Sequence, residues 1–296
     1  MTRMAIVGWD GSRASEAALA WAVAREREGG GATGEIVVVT AVERTRADVR
    51  HPGAAPSLQD ARAAVEERVS RAAREDPGLR IRGEALTGSP EDVLSRWSAP
   101  GTLVVVGGAG VSRSRLRRRM PIGERLATRS CRAVAVIPAD WDPAEGVGGG
   151  IVVGVDGTRS SPAALRFGEH EAERDHVGVA AVHVWTEPYV WDQIYVPADE
   201  LREIVRMQHR DLLEDAVVEA SDETPDVPVE RRAVAGHPYF ALVRESAGAR
   251  MLVVGSHSHG SLVRRLLGSV SATLVAMAPL PVVVVHPTAP VRAGLS

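Results

Sequence analysis

Short runs of valine, isoleucine, leucine and alanine recur along the chain, separated by longer stretches whose apolar residues return every three or four positions. In the second half the runs fall at 151–155, 177–185, 227–234, 251–255 and 282–286. The longer stretches between them span about 159–174, 199–219, 238–247 and 269–277. In the first half, strands are predicted near 4–9, 35–42, 80–86, 102–107 and 133–137. A run without polar alternation is a strand covered on both faces, and such strands separated by helices predict a parallel sheet. The fold class is therefore α/β, with two tandem doubly wound domains. Each is a five-stranded parallel sheet in the order 3-2-1-4-5, flanked by helices.

The same pattern is written twice. Ile6-Val7-Gly8-Trp9-Asp10-Gly11-Ser12 returns as Val152-Val153-Gly154-Val155-Asp156-Gly157-Thr158, and Leu103-Val104-Val105-Val106-Gly107 returns as Met251-Leu252-Val253-Val254-Gly255. Thr87-Gly88-Ser89-Pro90 likewise returns as Ala235-Gly236-His237-Pro238. A spacing of about 146–149 residues is the length of a domain and not of a solenoid unit. The expected division is one domain at 1–140, a linker at 141–149 and a second domain at 150–290. Where the copies differ at a candidate site, they are expected to do different work.

Composition removes several chemistries. All 35 basic residues are arginine, so no lysine is present for a Walker-A loop, a Schiff base or a general base. A net charge of −3 spread over both copies argues against nucleic-acid binding. The single cysteine, Cys131, cannot form an intramolecular disulfide or a CxxC site. No stretch approaches the roughly 20 apolar residues of a membrane span, and no signal-like leader opens the chain; a cytoplasmic protein is expected.

In a doubly wound sheet, ligands bind beyond the carboxyl ends of the strands where strand order reverses. In the second copy, Asp156-Gly157-Thr158 follows the first strand. It reads either as a turn or helix-capping residue, or as a carboxylate for sugar hydroxyls. Gly255-Ser256-His257-Ser258-His259-Gly260 follows the fourth strand, and Gly268-Ser269-Val270-Ser271 opens the next helix. Glycine permits close approach of backbone to an anion, a helix start aims free N–H groups at it, and serine hydroxyls add donors.

With these residues in place, the chain resembles the universal stress protein family in its tandem, two-domain form. The matching elements are Gly154-Val155-Asp156-Gly157-Thr158, Val182-His183-Val184, Gly255-x2-Ser258-x9-Gly268-Ser269 and the strand Pro281–Val285. Members of the family that bind ATP carry a G-x2-G-x9-G-(S/T) signature, and here Ser258 replaces its second glycine. The resemblance implies a site for an adenine nucleotide, ATP with or without Mg2+. Asp156 would meet the ribose and Val184 the adenine, with Gly154 and Val254 beside them. Gly255, Ser258, Gly268, Ser269, Val270 and Ser271 would line the phosphate path. It also implies that the last strands of the two copies pair across an internal pseudo-dyad, and that the chain forms a homo-oligomer, a dimer.

The matching positions of the first copy are Asp10, Ala41, Gly107, Gly110, Met120 and Pro121. The two glycines stand, but Pro121 lacks an N–H and Met120 places a side chain where backbone would approach a phosphate. This site is expected to be degenerate, with weak or no nucleotide binding. Arg113, Arg115, Arg117, Arg118 and Arg119 precede it and read as a solvated loop, a partner-facing patch or a grip for another anion.

Three further signals carry less. His237, His257 and His259 are loop histidines without an acidic companion, so no metal site is read. Ser256-x-Ser258-x-Gly260 lacks the leading glycine of a hydrolase nucleophile elbow. Trp185, Tyr189, Trp191 and Tyr195 read as core or lid packing, or as a stack for the base. No general base is evident, so any ATP hydrolysis is expected to be slow. The expected function is a nucleotide-binding stress-response or signalling module. A ligand-free interaction scaffold and a slow ATP hydrolase are the alternatives.

Overall fold

The structure is a computed structural model. It describes residues 4–28, 34–43, 57–108, 121–128, 133–144, 149–186, 198–220, 223–256 and 267–287. In the first copy the elements are β1 (Met4–Gly8), α1 (Arg13–Glu28), β2 (Glu35–Val42), α2 (Leu58–Glu75) and β3 (Ile81–Thr87). They continue with α3 (Pro90–Ser95), β4 (Thr102–Gly107), α4 (Ile122–Thr128) and β5 (Ala133–Ile137). The second copy repeats the order as β6 (Ile151–Val155), α5 (Ser161–Asp175), β7 (Val179–Trp185), α6 (Ala198–Ala220) and β8 (Val229–Ala235). It ends with α7 (Pro238–Glu245), β9 (Met251–Gly255), α8 (Ser269–Met277) and β10 (Val282–Val285).

Each copy forms the expected parallel sheet, with order β3-β2-β1-β4-β5 in the first and β8-β7-β6-β9-β10 in the second. The two sheets do not stand apart. β5 and β10 pair antiparallel, Ala133 opposite Val285 and Val136 opposite Val282, giving one ten-stranded sheet. Strand pairing across the pseudo-dyad is thus as the resemblance implied.

Side-chain alternation along the strands sorts the core into two faces. On one face Ala5, Val7, Leu103, Ile151, Val153 and Val283 pack under α1, α2, α5 and α6. On the other, Ile6, Val104, Val152, Leu252 and Val284 pack under α3, α4, α7 and α8. Fully burying one leucine of this kind, such as Leu19 or Leu165, contributes roughly 1.5–3 kcal/mol. The outer edges are guarded by charge: Arg82 pairs with Glu35 and Glu84 beside β3, and Arg232 with Glu230 on β8. Such charges blunt further strand addition.

Element ends differ from the sequence expectation for local reasons. β7 starts at Val179 and not Val177 because His176 closes α5 in the left-handed region, φ 54°. β8 starts after Pro228, which has no N–H to give a ladder; its carbonyl accepts from Val179 N at 2.9 Å.

Candidate functional site

In the second copy the chain turns sharply beyond β6. Gly157 adopts φ +73°, and the Asp156 carboxylate accepts at Oδ1 from Thr158 N (2.9 Å), Thr158 Oγ1 (2.7 Å) and Ser161 Oγ (2.8 Å). Asp156 N donates to Ser161 Oγ at 3.1 Å. Asp156 is therefore a turn residue whose carboxylate is held by one oxygen. The residue capping α5 is Ser160.

Beyond β9, α8 is tied back to the strand end. Ser271 Oγ donates to Gly255 O at 2.8 Å and Gly268 N to Ser256 O at 3.1 Å. Gly268 caps the helix without a side chain, so the first-turn N–H groups face outward from the helix start with no capping hydroxyl over them. Between these elements lies a cavity of about 120 Å3. Every described residue that the sequence singled out for this site lines it: Gly154, Asp156, Val184, Val254, Gly255, Gly268, Ser269, Val270 and Ser271. Ser258 lies outside the described residues. Val155, Val182, Pro238 and Leu242 complete the walls and were not among the assigned site residues.

The glycines have a packing task as well. A Cβ on Gly255 would stand 2.6 Å from Ser160 Oγ, and one on Gly107 would stand 2.4 Å from the Ala14 backbone. Both let the end of the fourth strand of each copy touch the start of the helix region after the first. A Cβ on Gly154 would crowd Leu242 and Val254, the two apolar walls of the cavity.

The first copy holds a cavity in the same place, and at about 230 Å3 it is the larger. Asp10, Ala41 and Gly107 line it. Pro121 does not reach the wall, which is completed by Ile122 and Arg125; Gly110, Met120 and the arginines of the preceding loop lie outside the described residues. Ser12 N donates to Asp10 Oδ1 at 3.0 Å, repeating the turn at Asp156. Burial raises the Asp10 carboxyl, but hydrogen bonds from Ser12 and Ser15 outweigh it and hold it below the ordinary carboxylate range. Two features are new to this copy: Trp9 Nε1 donates to Glu16 at 2.7 Å, and an ion pair between Arg125 and Glu91 ties α4 to α3. In the second copy that link is Tyr239 OH donating to Met277 O at 3.2 Å.

Trp185 lies on the opposite sheet face from the cavity-lining Val182 and Val184. It is buried and stacked on His209, 5.2 Å between centroids, so it belongs to the core. Tyr189, Trp191, Tyr195, His257 and His259 lie outside the described residues. Among the described residues no three of His, Cys, Asp or Glu gather to hold a metal ion, and no helix is long and apolar enough to cross a membrane.

Residues 150–286 match the model of the Universal stress protein family. Over most of its length the chain is 30% identical, across 299 aligned residues, to a universal stress protein of Mycobacterium tuberculosis, covering 94% of this chain and 95% of the relative. The chain belongs to the universal stress protein family. A second member, from Mycolicibacterium smegmatis, is 30% identical over 296 residues, covering 95% of this chain and 96% of its own. The crystal structure of a universal stress protein from Archaeoglobus fulgidus covers 97% of this chain and 100% of its own with TM-score 0.66. At 17% identity that likeness concerns the fold. The family model falls on the second copy, and the full-length relatives join the first copy to the family.

Proposed function

We propose that this universal stress protein is a nucleotide-binding module whose second copy holds an adenine nucleotide, ATP with or without Mg2+. One observation carries the reading: the described residues that match the family's nucleotide pattern, drawn from three strand ends and a helix start, line a single cavity. With Asp156 Oδ1 held by its own turn, Oδ2 is the oxygen offered to a ribose hydroxyl pair. Val184, Val254 and Leu242 offer an apolar slot for the base. The α8 start, with Gly268, Ser269 and Ser271, offers donors for phosphate. Asp10 repeats the ribose half in the first copy. Pro121 removes one donor from the phosphate half, and nucleotide binding there is weak or absent. Residues 1–140 and 150–290 act as two domains joined by 141–149, in a cytoplasmic protein that forms a homodimer. The role is binding and not turnover.

The test is denaturing release of bound small molecules from the purified chain, followed by calorimetric titration of the emptied protein with ATP. About one adenine nucleotide per chain supports the reading. No release and no heat at millimolar ATP would sink it, and two sites of similar affinity would overturn the assignment of the first copy.

A further inference from the structure

On the face of the sheet opposite the cavities, the two copies meet through α1 and α5. Arg25 is 3% exposed and Glu171 is 2% exposed. The guanidinium grips the carboxylate with both arms, Nε to Oε2 at 2.8 Å and Nη2 to Oε1 at 2.6 Å. The two residues are 146 positions apart, the spacing that relates the copies through Asp10 and Asp156. Arg25 and Glu171 are therefore the same position of the repeat, meeting itself across the pseudo-dyad with its charge reversed. The sequence reverses charge again two residues on, at Arg27 and Glu173. Size is reversed as well: in the joining ladder Ala135 of β5 faces Val283 of β10, its own counterpart in the repeat.

A symmetric pairing of like copies would remove this complementarity. Two first copies would bury Arg25 against Arg25 and set alanine against alanine. Two second copies would bury Glu171 against Glu171 and crowd valine on valine. Glu26, 2.5 Å from Arg25, and Arg174, 3.4 Å from Glu171, give each side a local ion pair. Neither replaces the two-armed bond, and a buried charge that loses its partner is strongly destabilising. We infer that the joining face is keyed, so that each copy accepts the unlike copy, from its own chain or by reciprocal exchange from a second chain, and rejects its own kind.

Charge reversal in the full chain tests this. Arg25→Glu and Glu171→Arg each place like charges at the key, and each is expected to lower the melting temperature by about 5–10 °C. The double variant Arg25→Glu/Glu171→Arg is expected to melt near the parent. Co-expression of the two single variants, with a tag on one for purification, tests the exchange between chains. Exchanged pairing sets the two substituted side chains against each other at one joining face and leaves the native Arg25 against the native Glu171 at the other. Both faces then pair opposite charges, so the co-purified pair should also melt near the parent. The inference is overturned if the double variant melts no higher than the singles, and its exchange between chains is overturned if the co-expressed pair melts as the singles do.

Discussion

His183 donates through Nδ1 to the carbonyl oxygen of Val155 at 2.7 Å, fixing the last residue before the Asp156 carboxylate. In the first copy the same bond runs from Thr40 Oγ1 to Trp9 O at 2.9 Å. The second copy thus uses a titratable group where the first uses a hydroxyl. Its other ring nitrogen, Nε2, lies 2.8 Å from His209 Nδ1, and His209 stacks on both His183 and Trp185. Protonating both rings would set two N–H groups against each other.

A pH dependence follows. Burial, then the neighbouring His183, hold the His209 imidazole below its ordinary value of 6.5. A base with a depressed folded pKa contributes stability that is fully present above 6.5 and is lost as pH falls through the folded value. The melting temperature should therefore fall as pH drops below about 6.5, and His209→Gln should flatten that slope relative to the parent. Parallel curves for parent and variant would show that the pair does not couple to folding.

The two aspartates should separate the copies. A hydrogen bond to a charged group is worth about 1.5–3 kcal/mol, so Asp156→Ala should weaken ATP binding roughly ten- to a hundredfold. Asp10→Ala should leave the main binding isotherm unchanged. Titration calorimetry reads both, and an equal loss in the two variants would mean that the first cavity also holds the nucleotide.

Much of this was legible in the sequence because it is written there twice. Runs such as Ile151–Val155 and Met251–Gly255 are too short and too apolar to be anything but covered strands, and the structure gives those bounds unchanged. The cavity residues contributed by strand ends were readable for the same reason: their places follow from strand order. Leu242 and Pro238, with their counterparts Leu94 and Pro90, were not assigned to the cavities. They come from short helices that a crossover brings over the sheet, and nothing local in their sequence marks that approach. The Ser89-Pro90 and His237-Pro238 repeat was the available signal. Arg125 was missed because its counterpart, Thr273, is half-buried and bonds within its own helix to Ser269 O.

The glycines after the fourth strands give a final test, since their packing role predicts an effect on folding that does not depend on any ligand. At Gly107 the atoms in the way are the backbone carbon and oxygen of Ala14, both 2.4 Å from the added Cβ, so the helix start itself must move. At Gly255 the nearest atoms are the hydroxyl and Cβ of Ser160, at 2.6 and 2.7 Å. Overpacking of this kind costs about 1–3 kcal/mol, and backbone cannot rotate away as a side chain can. Gly107→Ala should therefore lower stability more than Gly255→Ala in chemical denaturation. Adding Ser160→Gly should recover part of the loss at Gly255. If Gly107→Ala instead folds with parental stability, the close approach of β4 to the start of α1 is not what requires glycine there.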